Sequence, residues 1–330
     1  MKSKQIDDDV KWVSKISLDQ DQVGVDFNFI WYRNSVPILA KVTIDNDIKQ
    51  SLLDKFIKDY SGNVASTDNA SEGEEAFIVP KFDIVTDLSG QLASCKKDEY
   101  QGVERVLNIF KNEKELGNLS GIELENVKGY CATIYRKERQ LYLFGSVNKF
   151  NALKKKHMFG FIGNVSSNTL SKISDDEHII GINPSTVCYI SGNNVVIKSK
   201  QYFESIFNLS GEYRVRAEGT IKALKKHSDF FKGIDQIDKD AKSKFMAVRG
   251  LAKMSADLSF LDEMVSKKDK VIRVIQDPIF NKKLGKIKVS KDNQSLEYSK
   301  DAIFEFVNLL GDHAVVSAIT GNHFFAEKEQ

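Results

Sequence analysis

Every second residue of QVGVDFNFIW is apolar: Val23, Val25, Phe27, Phe29 and Trp31 alternate with Gly24, Asp26, Asn28 and Ile30. A side-chain period of two belongs to extended chain, so this stretch reads as a strand, and the RNSVP turn leads into a second one over Ile38 to Ile44. The same period returns at Gly129. There GYCATIY and LYLFG flank the charged turn RKERQ as a hairpin. HIIGI, TVCYIS and VVIKS read as further strands, the last two joined by Gly192-Asn193-Asn194, a hairpin turn signal. These C-terminal strands form a small antiparallel meander.

The remaining segments carry helical spacing. Asn46 reads as the N-cap of a helix through Tyr60, with Ile48, Leu52, Phe56 and Tyr60 on one face. A second helix covers Tyr100 to Leu116 with Val103, Leu107 and Phe110 inward, and AFIVPKF before it is a short strand. After the meander come a short helix from Gln201 to Phe207 and one from Tyr213 to Lys232, with Ala217, Ile221, Leu224, Ser228 and Phe231 aligned. A longer helix runs from Lys239 to Val265, broken near Ser255–Asp257, with Phe245, Val248 and Ala252 inward. GKIKVS and SLEYS form a strand pair, and Lys300 to Leu310 a terminal helix. The polar stretch at residues 61–75 reads as a mobile loop. The predicted fold class is α+β: an acidic N-terminal α/β unit over residues 1–125, then a basic unit over residues 126–330 with a small antiparallel sheet and several helices.

Cys95, Cys131 and Cys188 are widely spaced with no CxxC pair, which suits buried thiols in a reducing compartment rather than a disulfide framework. MKSKQIDDDVKW has no apolar core for a signal peptide, and no apolar run approaches the ~20 residues of a membrane span. A cytoplasmic location is expected, with any membrane attachment supplied by another protein.

Charge is polarised along the chain. Residues 1–130 hold 16 Lys/Arg against 23 Asp/Glu, residues 131–300 hold 31 against 18, and residues 301–330 hold 1 against 5. A basic middle between acidic ends points to a polyanion or an acidic protein surface as partner. The candidate DNA-binding residues are Lys222, Lys225 and Lys226; Lys242, Arg249 and Lys253; Lys267 and Lys268; and Lys282, Lys283 and Lys286, with Lys270, Arg273 and Lys288 close by in sequence. Lys242, Arg249 and Lys253 fall at i, i+7 and i+11, one face of the long helix. A solvated Lys-rich helix face explains any single cluster; the excess over the whole segment is what favours polyanion binding. Lys154-Lys155-Lys156 before His157 either extends that surface or is a solvated loop.

Catalytic signatures are weak beside this. Asp26 with Asp47 and Lys49 is the one metal-nuclease pattern, but Asp47 stands where a helix start calls for a capping acid, outside the basic segment. His157, His178, His227, His313 and His323 are scattered and none pairs with Cys at zinc-ligand spacing. Gly160 and Gly163 fit neither a phosphate loop nor a dinucleotide fingerprint, and Cys131 and Cys188 lie in apparent strands. No catalytic residue, metal ligand or cofactor is assigned.

From about Gly129 onward particular residues suggest a family. TVCYISGNNVVIKSKQYFESIF runs from a strand pair into a short helix bearing Phe203 and Phe207; EGTIKALKKHSDF precedes a second helix containing RGLAKM. In FVNLLGDHAVVSAITGNHFF, Leu309-Leu310, Asp312, Ser317 and Thr320-Gly321 make a terminal pattern, followed by Lys328. These features resemble the bacterial domain family best known from the B subunit, KwaB, of the Kiwa anti-phage defence system. Arg249-Gly250-Leu251-Ala252 departs from the Lys-Leu pair usual there, and the first 125 residues carry no resemblance. The resemblance implies a cytoplasmic defence protein that binds DNA, without sequence preference, and works with a small membrane-embedded partner (KwaA-like) that holds it at the inner membrane. It brings no catalytic residues. A homodimer is expected. Two alternatives stay open: a metal-dependent nuclease with an unrecognised site, and a scaffold that self-associates through its opposite charges without binding DNA.

Overall fold

The computed structural model describes residues 3–19, 22–61, 78–86, 88, 90–111, 116–117, 126–149, 161–164, 169–172, 180–311, 314–316 and 323–325. The chain divides into two compact units, Met1–Phe82 with Leu88–Leu209, and Asp83–Asp87 with Ser210–Gln330.

The first unit is built on one sheet in the order β3-β10-β9-β6-β5-β1-β2-β4. Its strands are β1 (Val23–Arg33), β2 (Val36–Val42), β3 (Ala93–Lys96), β4 (Leu116–Gly117), β5 (Val127–Arg136), β6 (Arg139–Lys149), β9 (Ile180–Ser191) and β10 (Asn194–Ile197). All neighbours are antiparallel except β4, which runs parallel to β2 over Leu39↔Leu116 and Ala40↔Gly117. Two of the hairpin turns follow the turn chemistry. Asn34 and Ser35, with φ of 51° and 66°, connect β1 to β2, and Lys137 (φ 54°) begins the turn from β5 to β6. Positive φ matches the twist of the flanking strands.

Alternation sorts the side chains into two cores. Phe27, Phe29, Tyr130, Ala132, Ile134, Leu141, Leu143 and Tyr189 pack with Ile6, Val10 and Val13 of α1 (Ser3–Val13) and Leu52, Leu53, Phe56 and Tyr60 of α2 (Asn46–Ser61). On the opposite face Phe144 meets Phe207 at 4.8 Å beyond α4 (Lys200–Ile206), and Tyr142 meets Phe110 of α3 (Gln101–Lys111) at 5.3 Å. Two cross-strand pairs set a tyrosine over a glycine: Tyr135 over Gly24 and Tyr130 over Gly145. A Cβ on Gly145 would fall 2.1 Å from the Tyr130 ring, so no larger residue fits beneath it.

The second unit holds α5 (Ser210–Lys226), α6 (Ile234–Ser243), α7 (Phe245–Met254), α8 (Ser259–Ser266), α9 (Lys268–Gln276), α10 (Pro278–Leu284) and α11 (Ile303–Leu310). With them is a small sheet in the order β11-β13-β12: β11 (Phe231–Lys232), β12 (Lys288–Val289) and β13 (Leu296–Glu297). The Thr220 hydroxyl donates to the Leu251 carbonyl at 2.8 Å, tying α5 to α7. The Tyr213 hydroxyl donates to the Ile84 carbonyl at 2.8 Å, and Arg216 pairs with Asp83 at 3.2 Å, so the 83–87 segment is fastened to α5. Two further strand pairs are β7 (Phe161–Asn164) with β8 (Thr169–Lys172), and β14 (Ala314–Val316) with β15 (His323–Phe325).

Helices together with a largely antiparallel sheet make the fold α+β, as the periodicities predict. Several expectations need correction. The N-terminal strand pair and the later meander are one sheet, because the free edge of β1 pairs with β5 from Val23↔Arg136 to Trp31↔Val127. The two units accordingly part at Leu209/Ser210, whereas the boundary read from the sequence lies at 125/126. HIIGI and TVCYIS are a single strand, β9, from Ile180 on. Among the described residues of AFIVPKF, 78–82, there are isolated bridge positions, Lys81↔Ser94 among them, and no strand. The helix expected over Lys239 to Val265 is three helices, broken first at Lys244, whose backbone is extended (φ −128°, ψ 92°). Phe231, expected on the helix face of Tyr213 to Lys232, lies in β11, and α5 ends at Lys226. Phe245 is exposed, where an inward position was expected. Helix α1 is an addition to the elements read from the sequence. The loop expected at residues 61–75 lies outside the described residues after Ser61, as do Lys154-Lys155-Lys156 and most of the terminal family pattern.

Candidate nucleic-acid interface

The charge polarisation along the chain does not survive its division into folded units. The first unit holds 26 Lys/Arg and 26 Asp/Glu, the second 22 and 20. Acidic residues 1–82 and basic residues 131–209 share one sheet-centred body, so their charges offset each other. What remains for a polyanion is local: which cations are exposed, and which have carboxylate neighbours.

Many of the candidate cations are engaged. Lys225 Nζ lies 2.8 Å from Asp235, and the bond and charge of that pair raise the lysine pKa and lower that of Asp235. Lys242 pairs with Asp238 at 3.0 Å within α6, and Lys286 with Glu305 at 3.0 Å. Lys267 pairs with Glu263, and Lys268 donates to the Gln294 amide. Arg249 lies half-buried with its guanidinium 5.2 Å from the Tyr213 ring centre. Because α6 ends before Lys244, Lys242 is on a different helix from Arg249 and Lys253, and the single-face argument for those three fails. Lys283 is exposed on α10.

Others stand clear. Lys222 and Lys226, four apart on α5, and Lys270 and Arg273, three apart on α9, are exposed, and none makes an ion pair among the described residues. Lys282 on α10 is alike in both respects. Spacings of three and four place each pair on one helix face. His227 meets Asp262 at 3.0 Å, joining the C-terminal end of α5 to α8. Across the small sheet Lys232 and Lys288 flank Glu297 from either side, which partly neutralises both.

The remaining candidates are placed plainly. Asp26 of β1 pairs with Lys41 of β2 at 2.8 Å, and Asp47 is exposed in the first turn of α2. No group of three or more His, Cys, Asp or Glu that could hold a metal occurs among the described residues. The three cysteines are buried; burial pushes the Cys95 thiol up to about 12 and Cys131 and Cys188 higher still. No described helix is long and apolar enough to cross a membrane.

One polar centre was not anticipated. Asp9 lies on the inward stripe of α1 with Ile6, Val10 and Val13, a core position, and is buried. Its Oδ1 accepts from Arg139 Nη2 and from the Ser191 hydroxyl, each at 2.7 Å. Its Oδ2 has no hydrogen-bond partner among the described residues. Burial pushes the Asp9 carboxyl up, against the Ser191 and Arg139 bonds that pull it down. Arg139 in turn rests 4.6 Å from the Trp12 ring centre. The available signal was the i, i+4, i+7 spacing of Ile6, Val10 and Val13, with an acid on the same stripe.

A family model described as Kiwa protein KwaB-like matches residues 124–320. The match covers more than half of the chain and takes in β5 to β14 with all the helices of the second unit. No curated protein and no solved structure matches the chain. The strand pair β9–β10 running into Phe203 and Phe207, and the buried Leu309-Leu310 pair on α11, stand within the matched span. The chain therefore belongs to the KwaB-like family, and with it to Kiwa anti-phage defence.

Proposed function

We propose that this chain serves Kiwa defence by gripping duplex DNA, without sequence preference, through exposed cations of its second unit, and by acting with a small membrane-embedded partner. The observation that carries the reading is the pair of rows, Lys222 with Lys226 and Lys270 with Arg273, exposed and without an ion pair among the described residues. A phosphate contact needs a cation that is solvent-facing and not already paired, and these qualify where Lys225, Lys242, Lys267 and Lys286 do not. Recruitment to the membrane falls to the partner, since no described helix could span it.

The test is a duplex titration at several salt concentrations. Log affinity should fall linearly with log salt, by ~0.9 per phosphate contact. Changing Lys222, Lys226, Lys270 and Arg273 together to Glu should weaken binding alike for all sequences and flatten the slope. The triple change at Lys242, Arg249 and Lys253 should do less, because Lys242 already has Asp238 and Arg249 rests on Tyr213. Unchanged binding by the fourfold variant would remove this surface from the reading. The near balance of charge in both units favours a second reading, a self-associating scaffold. Its self-association would weaken with salt, and DNA would leave it unchanged.

A further inference from the structure

We propose that the tip of the β5–β6 hairpin, in the first unit, binds single-stranded nucleic acid. In this site a base stacks on Tyr135, Lys137 holds the adjacent phosphate, and Arg136 and Lys15, round the tip on the α1 side, take phosphates further along the strand. This rests on the nucleic-acid reading above and adds a site on a different unit with a different preference for strandedness.

The geometry starts from the register. Arg136 and Arg139 face each other as the last pair of β5 and β6, with Lys137 and Glu138 in the turn. Like charges directly opposite on a sheet repel, and here only Arg139 has a carboxylate partner, Asp9, among the described residues. Arg136 Nη1 donates to the Lys15 carbonyl at 3.3 Å, which brings the segment after α1 to the same place. Arg139 donates through Nη2 to Asp9 Oδ1 and to the Asp8 carbonyl, with its guanidinium over the Trp12 ring; its Nε and Nη1 make no hydrogen bond among the described residues. Lys15, Arg136 and Lys137 make no ion pair among the described residues, and Glu138, beside Lys137 in the turn, makes none there either.

The aromatic component lies on the other face of the sheet. Tyr135 is 39% exposed although it stands in a strand whose earlier residues are almost wholly buried. Its ring covers Gly24, the residue opposite it, so close that a Cβ there would fall 1.9 Å from the ring. The ring is thus seated on backbone on one side and open on the other. A shallow cavity lined by Gln22, Val23, Gly24, Tyr135 and Lys137 lies there, and a second, lined in part by Trp12, Lys15 and Arg139, lies on the α1 side. A fixed ring with Lys137 two residues away and Arg136 and Lys15 around the edge of the same hairpin tip is an arrangement that can take an unpaired base and the phosphates of the strand. A duplex keeps its bases stacked on one another and offers none to Tyr135, and this favours a single strand.

Binding of the full chain to a fluorescently labelled dT12 strand and to a 12-base-pair duplex separates the two sites. Tyr135→Leu keeps apolar cover over Gly24 but removes the ring, and should weaken dT12 binding about 10-fold. Tyr135→Phe should stay within about twofold of the original protein. Arg136→Gln with Lys137→Asn, which leaves a residue tolerant of positive φ in the turn, should weaken dT12 binding by about as much as Tyr135→Leu. Duplex binding should be unchanged in all three, with folding confirmed by circular dichroism. Unaltered dT12 affinity in both Tyr135→Leu and the double variant overturns the proposal. If Tyr135→Leu does not fold, the double variant decides. Duplex binding without dT12 binding overturns this site and leaves the second-unit reading intact. The converse overturns the second-unit surface and supports this one, and binding of neither overturns both.

Discussion

Asp59 of α2 is half-buried and Asp9 of α1 buried in the first unit, and their carboxyls shift in opposite directions. Burial alone would push Asp59 up, but the Lys198 and Lys55 ammonium groups, 2.9 and 3.1 Å away, outweigh it and hold the carboxyl below its ordinary value. The stability Asp59 contributes is therefore present above the unfolded value of about 3.9 and lost as pH falls below it. Asp59→Asn should cost about 2 kcal/mol at pH 7, since two ammonium groups lose their carboxylate while keeping partial contact with water. That difference should narrow in urea melts as pH drops below about 4. Asp9 carries the opposite sign. Its raised carboxyl contributes stability that is full below the unfolded value and lost as pH rises through the folded one. The stability of the original protein relative to Asp9→Asn should thus decline from acid toward neutral pH; a rise would mean that the Arg139 pair outweighs burial. Neither role was legible in the sequence, because each depends on partners far away along the chain: Arg139 and Ser191 for Asp9, Lys198 for Asp59.

At the scale of single elements, short-range patterns were the readable ones. The strand alternation in β1, the turns at Asn34-Ser35 and Gly192-Asn193, and the inward faces Leu52/Phe56/Tyr60 and Ala217/Ile221/Leu224 follow from spacing and turn chemistry alone. The break at Lys244 did not, since no Gly or Pro marks it. Its extended backbone coincides with tertiary contacts of the side chain, 3.6 Å from Asp301 and 5.5 Å from the centre of the Phe304 ring. Gly250 has a comparable explanation. A Cβ there would lie 2.3 Å from Val307 Cγ1, so the glycine lets α7 approach α11. Gly250→Val should destabilise by about 2 kcal/mol through overpacking, despite its higher helix propensity than glycine. Pairing Gly250→Ala with Val307→Ala should recover most of the loss that Gly250→Ala alone produces. Thermal melts of the single and double variants read this directly, and additive losses would refute the contact.

For the whole molecule, the sequence yields the class and the family but not the division. A count of charge along the chain suggests one acidic and one basic body, whereas the sheet interleaves segments of both signs. Long-range strand pairing such as β1 with β5 is not written in local spacing, and so the candidate surface shrinks from a basic half to a few unpaired rows. The proposed dependence on a membrane partner is testable at this scale. Expressed alone, the chain should leave the membrane pellet on washing, and it should stay there when the partner is co-expressed. Pellet retention without the partner would count against the proposal.

The interleaving also bears on how the chain is made. On a ribosome β1 emerges with β2 as a hairpin, but its other edge waits for β5, and β3 waits for β10, whose residues appear only after 194. The 83–87 segment waits longer, until α5 is out. Phe27, Phe29 and the α2 face therefore stay without their full cover through about half of synthesis. A nascent chain of this design depends on chaperone shielding more than one whose early residues close upon themselves.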